Sequence, residues 1–258
     1  MLFTEGVFVG IDPTAGKRPL NFAALDRDLR LVALHTGHME DVLAFVGGLE
    51  HAVVAVDAPQ SPNRGLMLQP EVRRRFNLRP GGKTWGQWKV AEYELRRRNI
   101  RLYSTPAREA DAPQWMQNGF RLFRRLSAMG FQHFTVGEEP RPKMMIEVHP
   151  HGCFSSLLGH RPLLKDTLEG RLQRQLVLYR EGLDVPDPMQ TLEELTRHHL
   201  LAGQLPLQGL YSHDELDALA AAHTAYLVGV KPARVSQVGD RTEGWITLPV
   251  PTLKDFYL

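Results

Sequence analysis

Four aspartates lie at positions from which they could act on one substrate together. Asp12 and Asp57 each end a short apolar run and stand shortly before a proline. Asp214 and Asp217 are three residues apart, so they would share one face of a helix. Neighbouring carboxylates repel and raise one another's pKa values, and a bound divalent cation would remove that repulsion. The chemistry suggested by such a cluster is therefore metal-dependent.

The type of metal follows from the ligand atoms. Ligand sets made only of oxygen favour Mg²⁺ or Mn²⁺ over softer metals. Two such ions about 4 Å apart can hold the attacking and leaving oxygens of a phosphodiester displacement. Asp12, Asp57, Asp214 and Asp217 are thus candidate metal ligands and catalytic residues. Glu147, at the end of a later apolar run, is a further candidate that would join the ligands or orient a water.

Each acidic residue also has a structural explanation when it is considered alone. Aspartate often forms the turn at the end of a strand, which would account for Asp12 and Asp57. Acidic residues favour the first turns of a helix because they complement its dipole, which would account for Asp214. Only the joint pattern favours an active site, and it depends on the elements that position these residues.

Apolar and alternating runs predict five strands, and helical spacing predicts the helices between and after them. The predicted strands are 7–11, 21–25, 31–34, 52–56 and 144–146, the last running into 147–150, with a short capping strand at 244–249. The predicted helices are 39–49, 88–98, 115–129, 167–180, 192–201 and 213–228. Capping boxes would begin the last two helices, at Thr191 and Ser212. In an open sheet with the first strand beside the fourth, the carboxylates would converge on one edge.

Composition limits the class of protein. The chain has 258 residues, 43% of them hydrophobic, which is enough for one large domain spanning 1–258 with an insertion at about 61–141. Cys153 is the single cysteine, so a disulfide framework and a cysteine-rich zinc site are excluded. No apolar run approaches the length that spans a bilayer, and the N-terminus lacks the pattern of a signal peptide. We therefore expect a cytoplasmic protein without a membrane partner.

The charge is divided unevenly along the chain. Lys and Arg total 31 and Asp and Glu total 29, a net charge of +2. Between residues 64 and 125 there are 15 basic and 5 acidic residues, so this basic segment carries +10 and the remainder carries −8. Such a segment is suited to a polyanion, whereas the acidic remainder contains every candidate metal ligand.

Arginine runs in the basic segment are interleaved with aromatic residues, a mixture suited to phosphate contacts and base stacking. The alternative is that the arginines lie on solvated helix faces and the aromatics are core. Lys17, in a glycine-bounded loop after the first strand, is a further candidate for contacts with DNA or RNA. The candidate nucleic-acid-binding residues are Arg73, Arg74, Arg75, Arg96, Arg97, Arg98 and Lys17.

Several segments together resemble the DUF429 family, predicted nucleases with a ribonuclease H-like fold. They are GID at 10–12, VAVDAP at 54–59, EVHP at 147–150, HDELDALAAA at 213–222 and EGWI at 243–246. The resemblance implies an α/β fold: a ribonuclease H-like mixed five-stranded core sheet flanked by helices, with a helical basic insertion after the fourth strand. It also implies that Asp12 is the first-strand metal ligand and Asp57 the fourth-strand ligand.

The segment around Asp214 and Asp217 is similar to the last catalytic helix of RuvC-type Holliday junction resolvases, which implies that both are ligands. Those resolvases usually carry glutamate where Asp57 stands, and aspartate is one methylene shorter. The expected function is a divalent-metal-dependent nuclease that uses Mg²⁺ or Mn²⁺. The alternatives are a phosphotransferase or ATPase of the actin-like superfamily, which begins with a similar Gly-Ile-Asp strand, and a non-catalytic nucleic-acid-binding protein.

Overall fold

One eight-stranded sheet carries the fold of this mixed α/β protein. The computed structural model describes residues 6–14 and 19–258. Its strands are β1 (Val7–Asp12), β2 (Leu20–Leu25), β3 (Leu31–Gly37), β4 (Ala52–Val56), β5 (Gln132–His133), β6 (Lys143–Val148), β7 (Ser236–Asp240) and β8 (Gly244–Leu248). Its helices are α1 (Met39–Gly47), α2 (Pro70–Arg75), α3 (Val90–Arg97), α4 (Gln114–Ala128), α5 (Pro150–Leu158), α6 (Leu168–Arg180), α7 (Pro188–Glu194), α8 (Arg197–Ala202) and α9 (His213–Val230).

The strands are ordered β3-β2-β1-β4-β6-β8-β7, and β5 also pairs with β6. Four neighbouring strands run parallel to one another: β1, β4, β6 and β8. Strand β2 is antiparallel to both β1 and β3, and β7 is antiparallel to β8. The five predicted strands form the contiguous part from β3 to β6. The predicted five-stranded core is extended to eight strands by β8, which corresponds to the predicted capping strand, and by β5 and β7, which are short and polar and show no apolar pattern.

The predicted helices are confirmed except near residue 195, whereas α2 and α5 were not predicted. The predicted helix 192–201 is two helices, because Leu195 is extended and Thr196 caps α8 by accepting a hydrogen bond from the backbone N–H of His199. The capping box predicted at Thr191 is wrong, since Thr191 lies inside α7 and Asp187 caps that helix. The capping box at Ser212 is confirmed at the start of α9.

Helix α9 covers one face of the sheet, and Gly10 allows it to come close. A Cβ atom at Gly10 would lie 2.1 Å from the carbonyl oxygen of Ala218 and 2.3 Å from the nitrogen of Ala222. Phe8 and Ala55 also point to this face, where they pack against α9 in the larger core. The glycine thus sets the separation of α9 from β1, and the acidic residues on the helix are brought toward the strand end.

Helices α1 and α4 cover the opposite face. Val54 and Ile11 pack there with Val42 of α1 and with Leu122 and Phe123 of α4. Helix α4 comes from the basic segment, as does α3, which packs on the α9 side through Ala91 and Leu95. Parts of the basic segment therefore belong to the core on both faces. No helix in the described residues is long and apolar enough to cross a membrane.

Candidate active site

The ends of β1 and β4 bring two carboxylates to one edge of the sheet. Asp12 is the last residue of β1, and Asp57 directly follows β4. The strands are parallel with Ile11 opposite Val56, and the N–H of Asp57 donates to the carbonyl of Ile11 at 2.9 Å. Side chains alternate along a strand, so Asp12 points to the same face as Phe8, the face that α9 covers.

Helix α9 supplies the other two carboxylates. The Ser212 hydroxyl accepts from the N–H of Glu215 at 3.3 Å, and the Glu215 carboxylate accepts from the N–H of Ser212 at 2.7 Å. This cap begins the helix so that Asp214 and Asp217 fall beside the strand ends. Together with Asp12 and Asp57 they line one cleft of about 840 Å³.

Burial and mutual repulsion raise the pKa values of these acids. Burial is the main cause of raising the pKa of Asp12 to about 8, and the charges of Asp217 and Asp214 add to it. Burial also raises the pKa of Asp57 well above its ordinary value, helped by Asp12 and Asp217. The pKa of Asp217 is raised to about 6, again mainly by burial. Such a cluster attracts protons or cations.

Lys165 is a cation that the sequence patterns did not indicate. Its Nζ lies 3.6 Å from Oδ2 of Asp217. Burial lowers the pKa of Lys165, but the charges of Asp217, Asp12, Asp214 and Asp57 outweigh that effect and raise it. Lys165 lies in the loop between α5 and α6, outside any motif, so only the folded chain brings it to the acidic cluster.

His149 is a second residue of the cleft that sequence patterns left unassigned. Its Nε2 lies 2.8 Å from the carbonyl oxygen of Arg101, and because a carbonyl can only accept, Nε2 carries the hydrogen. The other nitrogen, Nδ1, therefore has a free lone pair, 3.9 Å from Oδ1 of Asp57. Burial lowers the pKa of His149, which favours the neutral ring with this lone pair.

The donor atoms of the cleft suit a hard divalent cation, but they form no closed cage. Within residues 6–14 and 19–258, no three His, Cys, Asp or Glu side chains are arranged to hold a metal ion. The four-ligand arrangement expected from the sequence is therefore not seen. Mg²⁺ commonly takes only one or two protein carboxylates and completes its coordination with water and substrate phosphate. One or two of the cleft carboxylates of Asp12, Asp57 and Asp217 would suffice for such a site.

Glu147 does not line the cleft of the four aspartates, but it lines a small adjoining cavity with Asp57, and its charge helps to raise the pKa of Asp57. It pairs in register with Val56, and alternation directs it with Met145 toward the face that α1 and α4 cover. There its carboxylate accepts from the N–H of Gln60 at 2.9 Å and lies 3.6 Å from Nζ of the buried Lys89. Burial raises the pKa of Glu147 although Lys89 opposes this. The nearest cation to Glu147 is thus Lys89, and the expectation that Glu147 joins the ligands or orients a water stays a prediction.

The predicted arginine runs lie outside the cleft. Arg73 is 2% exposed and donates to the backbone carbonyls of Met67, Arg79 and Thr84, so its role is structural. Arg98 is held by Glu94. The remaining four are exposed and lie beside acidic or aromatic partners: Arg74 near Glu71, Arg75 and Arg97 over Phe76, and Arg96 over Trp88. Lys17 lies outside the described residues.

The aromatic residues of the basic segment mostly form a small core of their own. Trp85 packs against Trp88 and Tyr93, with ring centroids 6.1 and 5.3 Å apart. Tyr93 also contacts Phe76. This arrangement favours the structural explanation for these rings. The basic residues that line the cleft are instead Arg101, Arg161, Lys165 and Arg174.

The raised pKa values predict how stability depends on pH without divalent cations. A carboxyl group with a raised folded-state pKa binds more protons when folded, so stability falls as the pH rises toward that pKa. Four histidines have pKa values lowered mainly by desolvation and oppose this only below about pH 6.5. From about pH 6.5 to 8.5 we expect the free energy of unfolding to fall. The histidines are His133, His149, His151 and His223.

Asp12→Asn tests this expectation, because it removes one of the repelling charges. At pH 8.5 the variant should be more stable than the wild type by about 2 kcal/mol, and its stability should change less with pH. Urea unfolding in EDTA at several pH values measures both quantities. Asp255→Asn, at an exposed position, is the control and should follow the wild type. An equal pH dependence in wild type and Asp12→Asn would contradict the assignment.

Comparison with known proteins identifies a family and no individual relative. A family model described as a protein of unknown function, DUF429, matches residues 10–242. No curated protein and no solved structure is significantly similar to the chain. The resemblance noted in the sequence is thus confirmed at the level of the family. Any assignment of activity depends on the cleft itself.

Proposed function

Because the chain belongs to the DUF429 family, which carries no assigned activity, we propose a function from the cleft: divalent-metal-dependent hydrolysis of phosphodiester bonds in nucleic acid. The observation that carries the proposal is the convergence of Asp12, Asp57 and Asp217, from two parallel strands and a helix, in one cleft with Lys165. Buried carboxylates in such numbers are costly unless cations share the site with them, and a bound divalent ion would in turn attract an anionic substrate.

The order of the elements supports a ribonuclease H-like interpretation of the core. Three antiparallel strands come first, and the fourth returns parallel beside the first. The carboxylates stand at the ends of the first and fourth strands and on the last long helix. Glu147, which pairs with Lys89, is not included in the proposed set of metal ligands. The α9-facing side of the sheet supplies all the proposed acids.

Each group in the cleft has a proposed task. Lys165, with Arg161 and Arg101 on the surrounding walls, attracts the phosphate. Asp12, Asp57 and Asp217 hold Mg²⁺ or Mn²⁺ together with the substrate, and the ion when bound neutralises charge on the phosphate and activates a water. His149 stands beside Asp57 with a free Nδ1 lone pair and is placed to accept a proton.

A second candidate is a nucleic-acid-binding protein without catalysis. It is favoured by the lack of a three-ligand metal group in the described residues and by the exposed arginines of α2 and α3. The phosphotransferase alternative has less support, because two-lobed ATPases close a second core over the nucleotide. The eight strands of the described residues all belong to one sheet.

A cleavage assay separates these functions. The purified chain is incubated with single-stranded, duplex and branched DNA and RNA, each with Mg²⁺, with Mn²⁺ and with EDTA. We expect cleavage with either metal and none with EDTA. Stable binding without cleavage in every condition would favour the second candidate, and metal-dependent ATP hydrolysis without cleavage would favour a phosphotransferase.

A further inference from the structure

An exposed aromatic ring stands at the mouth of the cleft. Tyr103 is 69% exposed, although a large aromatic side chain gains most by burial. Its ring centroid lies 5.4 Å from that of Trp115, at an interplanar angle of 59°. Both rings line the cleft that contains the aspartates. Both also line a small adjoining cavity of about 30 Å³ that Asp57 and His149 border.

Trp115 fixes the position of this platform. It lies near the start of α4, partly buried against Met116 and Phe120 and against the core on the α1 and α4 face. Tyr103 rests against it from the loop before α4, and no hydrogen bond or ion pair within the described residues ties the phenol group elsewhere. One ring is therefore held rigidly, and the other offers its exposed surface to the cleft.

Two exposed leucines also line the cleft. Leu163 is 48% exposed and Leu164 is 77% exposed, and they precede Lys165 in the chain. The lining thus combines carboxylates and cations with exposed apolar side chains. A nucleotide combines the same two properties, because its phosphate is charged and the flat faces of its base are apolar.

The acidic floor is recessed. The side chain of Asp217 is 12% exposed and that of Asp57 is 23% exposed. A phosphate must enter the cleft to reach them. In a duplex both faces of a base are covered by its stacked neighbours, so only an unpaired base can lie against an aromatic ring as its phosphate enters.

We propose that Tyr103, supported by Trp115, is a stacking platform for an unpaired nucleobase, so that the cleft selects single-stranded nucleic acid or an unpaired end. This inference rests on the proposed function, because it assumes that nucleic acid is the substrate. It places base recognition at the cleft and leaves the arginines of α2 and α3 without a part in it.

Binding in EDTA tests the platform independently of cleavage. Fluorescence anisotropy compares a labelled single-stranded oligothymidylate with an abasic strand of the same length, for wild type and Tyr103→Leu. We expect Tyr103→Leu to weaken binding of the oligothymidylate roughly 5- to 150-fold and to leave binding of the abasic strand unchanged. Tyr103→Phe keeps the ring and should bind like the wild type. Tyr179→Leu, at an exposed tyrosine of α6, is the matched control.

The outcomes separate the two proposals. Equal binding of both strands by the wild type, or no effect of Tyr103→Leu, would overturn the platform even if the protein cleaves nucleic acid. A loss limited to Tyr103→Leu on the base-containing strand would support the platform even if no cleavage is found with Mg²⁺. A complete lack of binding to either strand would overturn the platform and count against nucleic acid as the ligand.

Discussion

Replacing Asp57 by asparagine is expected to lower Mg²⁺-dependent cleavage of nucleic acid by at least about 10³-fold. A metal ion contributes several kcal/mol to such a reaction, and each 1.36 kcal/mol corresponds to a factor of ten in rate. Asparagine keeps the size of the side chain but removes the charge that would hold the cation. Single-turnover cleavage with saturating enzyme measures the rate of the chemical step.

The same substitution is expected to leave the metal-free protein at least as stable as the wild type. The pKa of Asp57 is raised by burial and by the charges of Asp12 and Asp217, so removing its charge relieves repulsion. A variant that loses activity without losing stability marks a functional carboxylate, because a structural one would lose both. Urea unfolding in EDTA gives the free energy of unfolding for this comparison.

Asp217→Asn should behave like Asp57→Asn, and Asp255→Asn should retain wild-type cleavage. Calorimetric titration with Mn²⁺ adds a readout that does not depend on turnover, and both cleft variants should bind the ion at least tenfold more weakly. If both Asp57→Asn and Asp217→Asn cleaved within tenfold of the wild-type rate, the cleavage would take place at a site other than this cleft.

Glu243→Ala is expected to lower the free energy of unfolding by about 3 kcal/mol or more. Glu243 is 1% exposed, and one oxygen accepts from the N–H groups of Arg64 and Leu66 at 2.9 and 3.2 Å. Its other oxygen accepts from the N–H of Val90 at 3.0 Å, at the start of α3. Alanine would leave three backbone donors without partners, each at a cost of about 1 kcal/mol or more.

The consequence of this substitution should be structural. Glu243 joins the turn between β7 and β8 to the loop before α2 and to α3, and it does not line the aspartate cleft. Urea unfolding followed by circular dichroism measures the loss. Glu193→Ala, at an exposed position of α7, should change stability by no more than about 0.5 kcal/mol. A decrease below about 1 kcal/mol in Glu243→Ala would show that the three N–H groups find other partners.

Local patterns in the sequence were sufficient to locate most elements of the sheet edge. The run 52–56 is apolar throughout, and the structure has β4 over the same residues. Ser212 and Glu215 form the predicted capping box, which begins α9 at the residue before Asp214. These features depend on residues close in sequence, through strand alternation and helix capping, so they can be read without knowledge of the remaining chain.

The elements with weak local signals escaped prediction. Strand β7 is a short polar segment that is a strand because Val238 pairs with Ile246 of β8. The single helix expected over 192–201 divides at Leu195, where a local cap at Thr196 outweighs helical spacing. The pairing of β7 with β8 is a tertiary contact, and the cap of α8 depends on the single side chain of Thr196. The spacing of apolar residues reports neither of them.

By itself, the sequence determined the family, the strands β1 to β4 and β6, and the presence of aspartates at the ends of β1 and β4 and near the start of α9. Only the tertiary structure decided which charged groups meet. The register of β6 against β4 set Glu147 opposite Val56, and folding brought its carboxylate to Nζ of the buried Lys89. Folding of the loop before α6 brought Lys165 to Asp217. Partners distant in sequence are chosen by packing and pairing, and no local pattern encodes them.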